Sequence, residues 1–268
     1  MRSSEASGPI ITLTTDFGYH DPFVGQIKGV ILSVNPSVTI VDITHGVERH
    51  GIGEAAFITG DTHRFFPPGT IHVVVVDPGV GSPRRAIIVR SGHHIFVGPD
   101  NGVFSVVLAK DSEAVVVEIL EDRYLLDRHS PTFQGRDVFA PAAAWLSRGV
   151  AVGGFGPSLK DPVILPLAVP AKAGDGLTGT VVYIDGFGNA ITNIRPDCLP
   201  RGDGGFHVRL RDVSVFPVTY YAEAAPGTLS YLFNSSGYLE IFVPLGSAAE
   251  LFAIRRGNEV SVTGIEST

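Results

Sequence analysis

Apolar residues in the first half of the chain alternate between two rhythms. Short β-branched runs at residues 10–14, 37–43 and 71–76 read as strands. Between the first two, Phe23, Ile27, Val30, Ile31 and Val34 fall at helical spacing, and Pro22 suits a first helical turn. Residues 53–66 carry Ala55, Ala56, Ile58 and Thr59 in a second predicted helix, which Pro67, Pro68 and Gly69 stop. Strand, helix, strand, helix, strand is the pattern of a parallel sheet covered by helices. The valines Val73 to Val76 suit a central strand buried on both faces.

The rhythm then changes. Residues 86–90 and 94–97 predict a hairpin, and 98–102 a dense turn. A further helix is predicted over 135–149, from Phe139, Ala142, Ala143 and Leu146. Residues 165–176 are rich in proline, glycine and alanine and mark a domain boundary. Beyond them, β-rich runs at 179–184, 190–194, 206–211, 213–218, 237–243 and 259–264 follow at short intervals, with one helix over 247–255. Such a series predicts a small barrel or sandwich. The expected architecture is an α/β domain at 1–170 with a mostly parallel sheet flanked by helices. A smaller all-β, barrel-like domain follows at 171–268.

Composition narrows the function classes. With 44% hydrophobic and 18% charged residues, the 268-residue chain can build a sizeable core. A net charge of −7 and the lack of a basic block argue against a nucleic-acid partner. A lone cysteine, Cys198, excludes an intrachain disulfide and a cysteine metal cluster. The start, MRSSEASGPI, lacks the apolar stretch of a signal peptide, and no apolar run approaches the ~20 residues that span a bilayer. A cytoplasmic protein with no membrane partner is expected.

Candidate chemistry gathers where strands end. In open α/β sheets, ligands bind at the carboxyl ends of the strands. Three such ends are acidic here: Asp16 with Asp21 behind it, Asp42 before His45, and Asp77 before Arg84 and Arg85. The glycines nearby match neither a P-loop nor a dinucleotide fingerprint, and carboxylates there would repel phosphate. They suit a ribose diol or a cationic ligand. Asp16, Asp42 and Asp77 are a weak metal set, since no metal-ligand spacing accompanies them. No metal is expected. His93 and His94 read as a solvated turn. Asp185 to Asn189 reads as a bulge or tight turn, or as part of a site. Asn234 to Gly237 reads as a hairpin turn.

Seven motifs then fall in order: TDFG at 15–18, VDITH at 41–45, VDPGVGSPRR at 76–85, GPDNG at 98–102, TFQGRDVFAP at 132–141, DGFGNAITNI at 185–194 and NSSGYLEI at 234–241. Together they resemble the S-adenosylmethionine hydroxide adenosyltransferases, the adenosine-forming S-adenosylmethionine hydrolases, which are relatives of fluorinases and chlorinases. The resemblance spans nearly the whole chain. It implies an N-terminal α/β domain, a C-terminal β-barrel-like domain, and a homotrimer with active sites between subunits. It implies S-adenosyl-L-methionine as the small-molecule substrate and no cofactor.

The resemblance also implies residue roles. In hydrolase relatives an aspartate, an arginine and a histidine surround the attacking water. Asp77 matches the aspartate and Arg84 the arginine by its offset of seven, with Arg85 as the fallback. The histidine is replaced here by Gln134, and His129 lies five residues upstream. Glutamine can orient water but cannot carry a proton near neutral pH. Asp16 matches the acceptor of the ribose hydroxyls. Asp21 and Asp185 match acidic positions near the ribose and the methionine ammonium. Asn189 matches a reader of the adenine edge, and Tyr221 an aromatic stacked on adenine. Ser235 and Ser236 match positions that hold the methionine carboxylate. His50 lies where halogenases place a pocket aromatic. Arg136 is left as a helix cap or anchor. Two rival readings stay open: a halogenase, disfavoured by the carboxylate of Asp77, and a protein that binds S-adenosylmethionine or adenosine without turnover.

Overall fold

The computed structural model describes residues 8–127, 130–174, 176–199 and 206–264. They form two compact units, Met1–Pro166 and Leu167–Thr268.

The first unit is built on β1 (Ile10–Thr15), α1 (Phe23–Val34), β2 (Thr39–Thr44), α2 (Ile52–Thr62), β3 (Ile71–Val75), β4 (Ala86–Ser91), β5 (His94–Pro99), α3 (Ser105–Lys110), β6 (Val115–Glu118), α4 (Ala140–Ser147) and β7 (Ser158–Leu159). The strands form one sheet in the order β2-β1-β3-β5-β4-β6-β7. Strands β2, β1, β3 and β5 run parallel. Strand β4 is antiparallel to both β5 and β6, and β7 is antiparallel to β6. Strands β1, β2, β3, β5 and β6 therefore share one direction, and the mostly parallel reading holds.

Strand β3 explains its own valine run. Side chains alternate faces along a strand. Val73 and Val75 pack in a core with Ile27 and Ile31 of α1 and with Ala140 and Ala143 of α4. Val74 and Val76 pack on the other face with Ala55 of α2 and Val107 of α3. The small residues of α4 let that helix sit close to the sheet. A π-helical turn, Gly135–Phe139, leads into α4. The sequence pattern missed α3, β6 and β7, which are too short to show a period.

The second unit comprises β8 (Ala171–Ala173), β9 (Gly176–Ile184), β10 (Ala190–Thr192), β11 (Phe206–Leu210), β12 (Val213–Pro217), β13 (Ser230–Phe233), β14 (Leu239–Phe242), α5 (Ala248–Leu251) and β15 (Glu259–Gly264). Seven strands run in the order β10-β14-β13-β12-β11-β15-β9, and the β9–β10 pairing closes them into a barrel. Closure removes the sheet edges. The interior includes Val181, Val208, Ile241, Val260 and Val262. Strand β8 pairs with the start of β9. The helix predicted over 247–255 shrinks to four residues. Ser247 caps it through Glu250 N at 3.1 Å, and the left-handed Ala253 (φ 48°) turns the chain away.

Candidate active site

Register brings two of the acidic strand ends together. Strands β1 and β3 are neighbours with Thr15 opposite Val75, so Asp16 and Asp77 both lie just beyond the carboxyl ends of adjacent strands. A cavity of about 720 Å³ opens there, lined by Asp16, Asp21, Asp77 and Gln134 together with Arg49, His50 and Arg136. Phe17, Phe23 and Phe133 form its apolar wall, with ring centroids 5.3–5.8 Å apart in tilted and edge-on contacts.

Asp77 is fixed by Arg84. The guanidinium grips both carboxylate oxygens, with Nε donating to Oδ1 at 2.9 Å and Nη2 to Oδ2. Both side chains are largely buried, at 5% exposure for Asp77 and 10% for Arg84. The same Nη2 donates to Gln134 Oε1 at 2.5 Å. Nη1 donates to the Arg85 carbonyl at 3.1 Å, and the guanidinium lies 5.5 Å from the centre of the Phe139 ring. The glycine-rich loop makes this pairing possible. Val80 N bonds Asp77 O at 3.2 Å and Ser82 N bonds Gly79 O at 3.0 Å, turning the chain back on itself. Gly81 has φ 82°, and a Cβ there would lie 3.0 Å from Pro131 O. Arg85 points elsewhere. It bonds Asp100 Oδ2 at 2.7 Å and Asp161 Oδ1 at 2.8 Å, so Arg84 is the partner of Asp77.

Around this centre, Asp16 Oδ2 accepts a hydrogen bond from His50 N at 2.9 Å. His50 has the left-handed φ of 65° and faces the cavity. Asp21 is half-exposed, with His20 at 3.6 Å. Arg136 bonds both oxygens of the fully buried Asp137 and reaches Gln26 Oε1 at 3.1 Å, which makes it an anchor with one face on the cavity. The third acidic strand end does not line the cavity. Asp42 instead accepts from Lys28 Nζ at 2.6 Å. Burial would raise its carboxyl, but the bond from Lys28 and the proximity of His45 outweigh burial and lower it. His129 lies outside the described residues.

The second unit carries a cavity of its own, about 540 Å³, lined by Asp185, Asn189 and Tyr221 with Phe187, Phe242 and Leu245. The tight-turn reading of Asp185 to Asn189 holds. Asp185 Oδ1 accepts from Phe187 N and Asn189 N, each at 2.9 Å, and Oδ2 accepts from Asn189 Nδ2 at 3.1 Å. Gly188 has φ 81°, and a Cβ there would collide with Ser247 at 2.1 Å. Tyr221 donates to Glu240 Oε1 at 2.7 Å, and burial followed by this bond pushes its phenol up. Ser235 and Ser236 are not among the lining residues. They sit in the β13–β14 hairpin turn, where Asn234 Oδ1 accepts from Ser236 N at 3.0 Å.

Sequence reading missed Gln26, Arg49, Phe133 and Glu240. Arg49 carried a signal, since it adjoins His50 in the loop after VDITH; the others are visible only through packing. The solvated-turn reading of His93 and His94 is half corrected. His93 is exposed, but His94 Nδ1 lies 3.2 Å from Nε2 of His72, which is 3% exposed. Among the described residues no group of three or more histidine, cysteine or carboxylate side chains is arranged to hold a metal ion. Among those residues no helix is long and apolar enough to cross a membrane.

The S-adenosylmethionine hydroxide adenosyltransferase N-terminal domain matches residues 11–156, and the C-terminal domain of the same family matches 179–261. The chain belongs to that family. It is 35% identical to the (R)-S-adenosyl-L-methionine hydrolase of Salinispora arenicola, over 96% of this chain and 99% of that protein. It is 30% identical to the fluorinase of Actinopolyspora mzabensis, over 97% and 99% of the respective chains. An uncharacterized conserved protein from Thermotoga maritima has a crystal structure that matches with a TM-score of 0.88 at 35% identity, over 94% and 99%.

Proposed function

We propose that the protein hydrolyses S-adenosyl-L-methionine to adenosine and L-methionine. Water attacks the 5′ carbon of the adenosyl group as the carbon–sulfur bond breaks in line behind it. The sulfonium departs as a neutral thioether, so the leaving group needs no acid. The nucleophile needs help, and the Asp77–Arg84–Gln134 cluster at the cavity is the observation that carries this reading. A carboxylate oxygen keeps lone pairs beyond those that Arg84 occupies, so Asp77 can accept a proton from a bound water. General-base help of this kind contributes typically about 10²–10⁴ in rate. Arg84 fixes the carboxylate and stabilises hydroxide character, and a fixed water adds a positioning contribution.

Gln134 accepts from Arg84 through its oxygen, so its amide nitrogen is left to donate to the water or the ribose. Asp16 accepts from the ribose diol, and Asp21 meets the methionine ammonium. In the second unit Asn189 reads the adenine edge, Tyr221 stacks on adenine, and Asp185 faces the polar rim of the ligand. Ser235 and Ser236 meet the methionine carboxylate. The two units serve as the domains of a cytoplasmic homotrimer, each active site combining the first unit of one subunit with the second unit of its neighbour. The exposed Phe187 and Leu245 beside the second cavity support a rim that another subunit covers.

One observation favours a second reading. Arg84 neutralises Asp77, so a halide meets less repulsion than a bare carboxylate would impose. The deciding experiment is chromatography of products from S-adenosylmethionine at neutral pH, with and without chloride and fluoride. Adenosine and methionine in all conditions support hydrolysis. A 5′-halo-adenosine supports a halogenase, and tight binding without product supports a sensor.

A further inference from the structure

A buried polar chain runs behind the cavity wall that carries Asp16. His45 is 1% exposed. Its Nδ1 lies 2.9 Å from Thr15 Oγ1. Its Nε2 lies 3.2 Å from Asp42 Oδ1, off the hydrogen-bond line, and neither atom has another partner. Asp42 Oδ2 accepts from Lys28 Nζ at 2.6 Å and from Tyr19 Oη at 3.4 Å. The Tyr19 ring packs edge-on against His45, with centroids 4.9 Å apart.

With a neutral imidazole, one assignment satisfies every donor and acceptor. Thr15 Oγ1 accepts from Phe17 N at 3.2 Å, and its own proton is free to be donated to His45 Nδ1. Nε2 then carries the ring proton and faces Asp42. A small ring rotation aligns that bond, and without it two buried polar atoms stay unpaired. The His45 carbonyl also accepts from Gly18 N at 2.7 Å. Residues 15, 17 and 18 are thus all tied to this chain, and Asp16 lies between them. Among the described residues the Asp16 carboxylate is bonded by His50 N, so its aim depends on this backbone.

We infer that Asp42, His45 and Thr15 are positioning residues that aim the Asp16 carboxylate at a vicinal diol of the ligand. The inference rests on the reading of Asp16 as ribose acceptor given above. A misplacement of about 1 Å at such a group can cost about 10²-fold.

The test is calorimetric binding of adenosine and of 2′-deoxyadenosine, which needs no turnover. Thr15→Val keeps the β-branched shape and removes both hydroxyl bonds; Thr15→Ser keeps the hydroxyl. Asp42→Asn cuts the chain at its far end, and thermal melts establish that each variant is folded. Wild type is expected to prefer adenosine. Thr15→Val and Asp42→Asn are expected to lose about tenfold of that preference, the equivalent of one well-made hydrogen bond, while Thr15→Ser retains it. Equal weakening of both nucleosides in Thr15→Val would overturn the inference and mark the chain as purely structural. No preference in wild type would overturn it as well. Absence of hydrolysis in the wild type, with the preference pattern intact, would instead count against the proposed reaction.

Discussion

Arg84 reaches Gln134 Oε1 at 2.5 Å with the same nitrogen that grips Asp77. Arginine only donates, so the glutamine is locked with its oxygen toward the guanidinium. Its amide can then donate toward the cavity but takes no part in proton transfer. The pH–rate profile of the wild type should therefore carry no limb from position 134. In Gln134→His a new limb is expected near pH 6–7, the ordinary range of a histidine. Initial rates from about pH 5 to 9 test this, and a profile identical to wild type would contradict the placement of Gln134 beside the reacting water.

Removing Arg84 should be more damaging than its charge alone suggests. Arg84→Ala leaves Asp77 buried and unpaired, a change that typically costs about 3–5 kcal/mol. Arg84→Lys keeps the charge but loses the fork that holds two carboxylate oxygens and Gln134 together. Thermal denaturation should rank stability as wild type, then Lys, then Ala. Activity should fall sharply in both variants. Arg85→Ala, which severs contacts to Asp100 and Asp161, should spare kcat by comparison.

The histidine cluster outside the cavity predicts acid sensitivity. Burial first, then the charges of His94 and His63, lower His72 to about 3. His63 and His94 are lowered as well, by burial first. An unfolded histidine takes up a proton near pH 6.5, whereas folded His72 does so only near pH 3. The unfolded state therefore binds more protons between these values, and stability falls as pH falls through the window. Between about pH 6.5 and 4.5 the loss from His72 is on the order of 2–3 kcal/mol. Urea unfolding in that range should show it. His72→Phe should flatten the dependence, at the expense of the Thr12 contact at 2.8 Å.

Tyr221 makes a separable prediction for the second cavity. Base–aromatic stacking contributes about 1–3 kcal/mol, so Tyr221→Leu should raise KM roughly 5–150-fold while leaving kcat less affected. Tyr221→Phe keeps the ring and gives up only the bond to Glu240. A KM close to wild type in Phe and far above it in Leu would fit stacking. The reverse order would point to the hydroxyl.

Much of the fold was legible because its strands are long enough to carry a period. The alternating cores on the two faces of Val73 to Val76 are what a central parallel strand requires, and the β-rich second half could close only as a barrel or pack as a sandwich. The helix Ser105–Lys110 was not legible, since six residues make less than two helical turns, and the four-residue strand Val115–Glu118 was missed with it. At the site, the resemblance implied Arg84 beside Asp77 by its offset of seven, with Arg85 as the fallback, and the turn geometry of the loop between them shows how that pairing forms. Asp42 was misread as a cavity residue because a strand end reveals nothing about which neighbour takes the carboxylate. Lys28 decides that, from α1, and it meets Asp42 only in three dimensions. The His72–His94 contact was invisible for the same reason: twenty-two residues separate the partners, and only strand pairing of β3 with β5 brings them together.

In the proposed reaction, water set by Asp77 attacks the 5′ carbon of the adenosyl group. Turnover of S-adenosylmethionine in ¹⁸O-labelled water, followed by mass spectrometry of both products, tests it most directly. The expected products are adenosine carrying the heavy oxygen at its 5′ hydroxyl and methionine without label, with a rate lower by about 10²–10⁴ in Asp77→Asn. Label in the amino-acid product, or an Asp77→Asn rate equal to wild type, would contradict it.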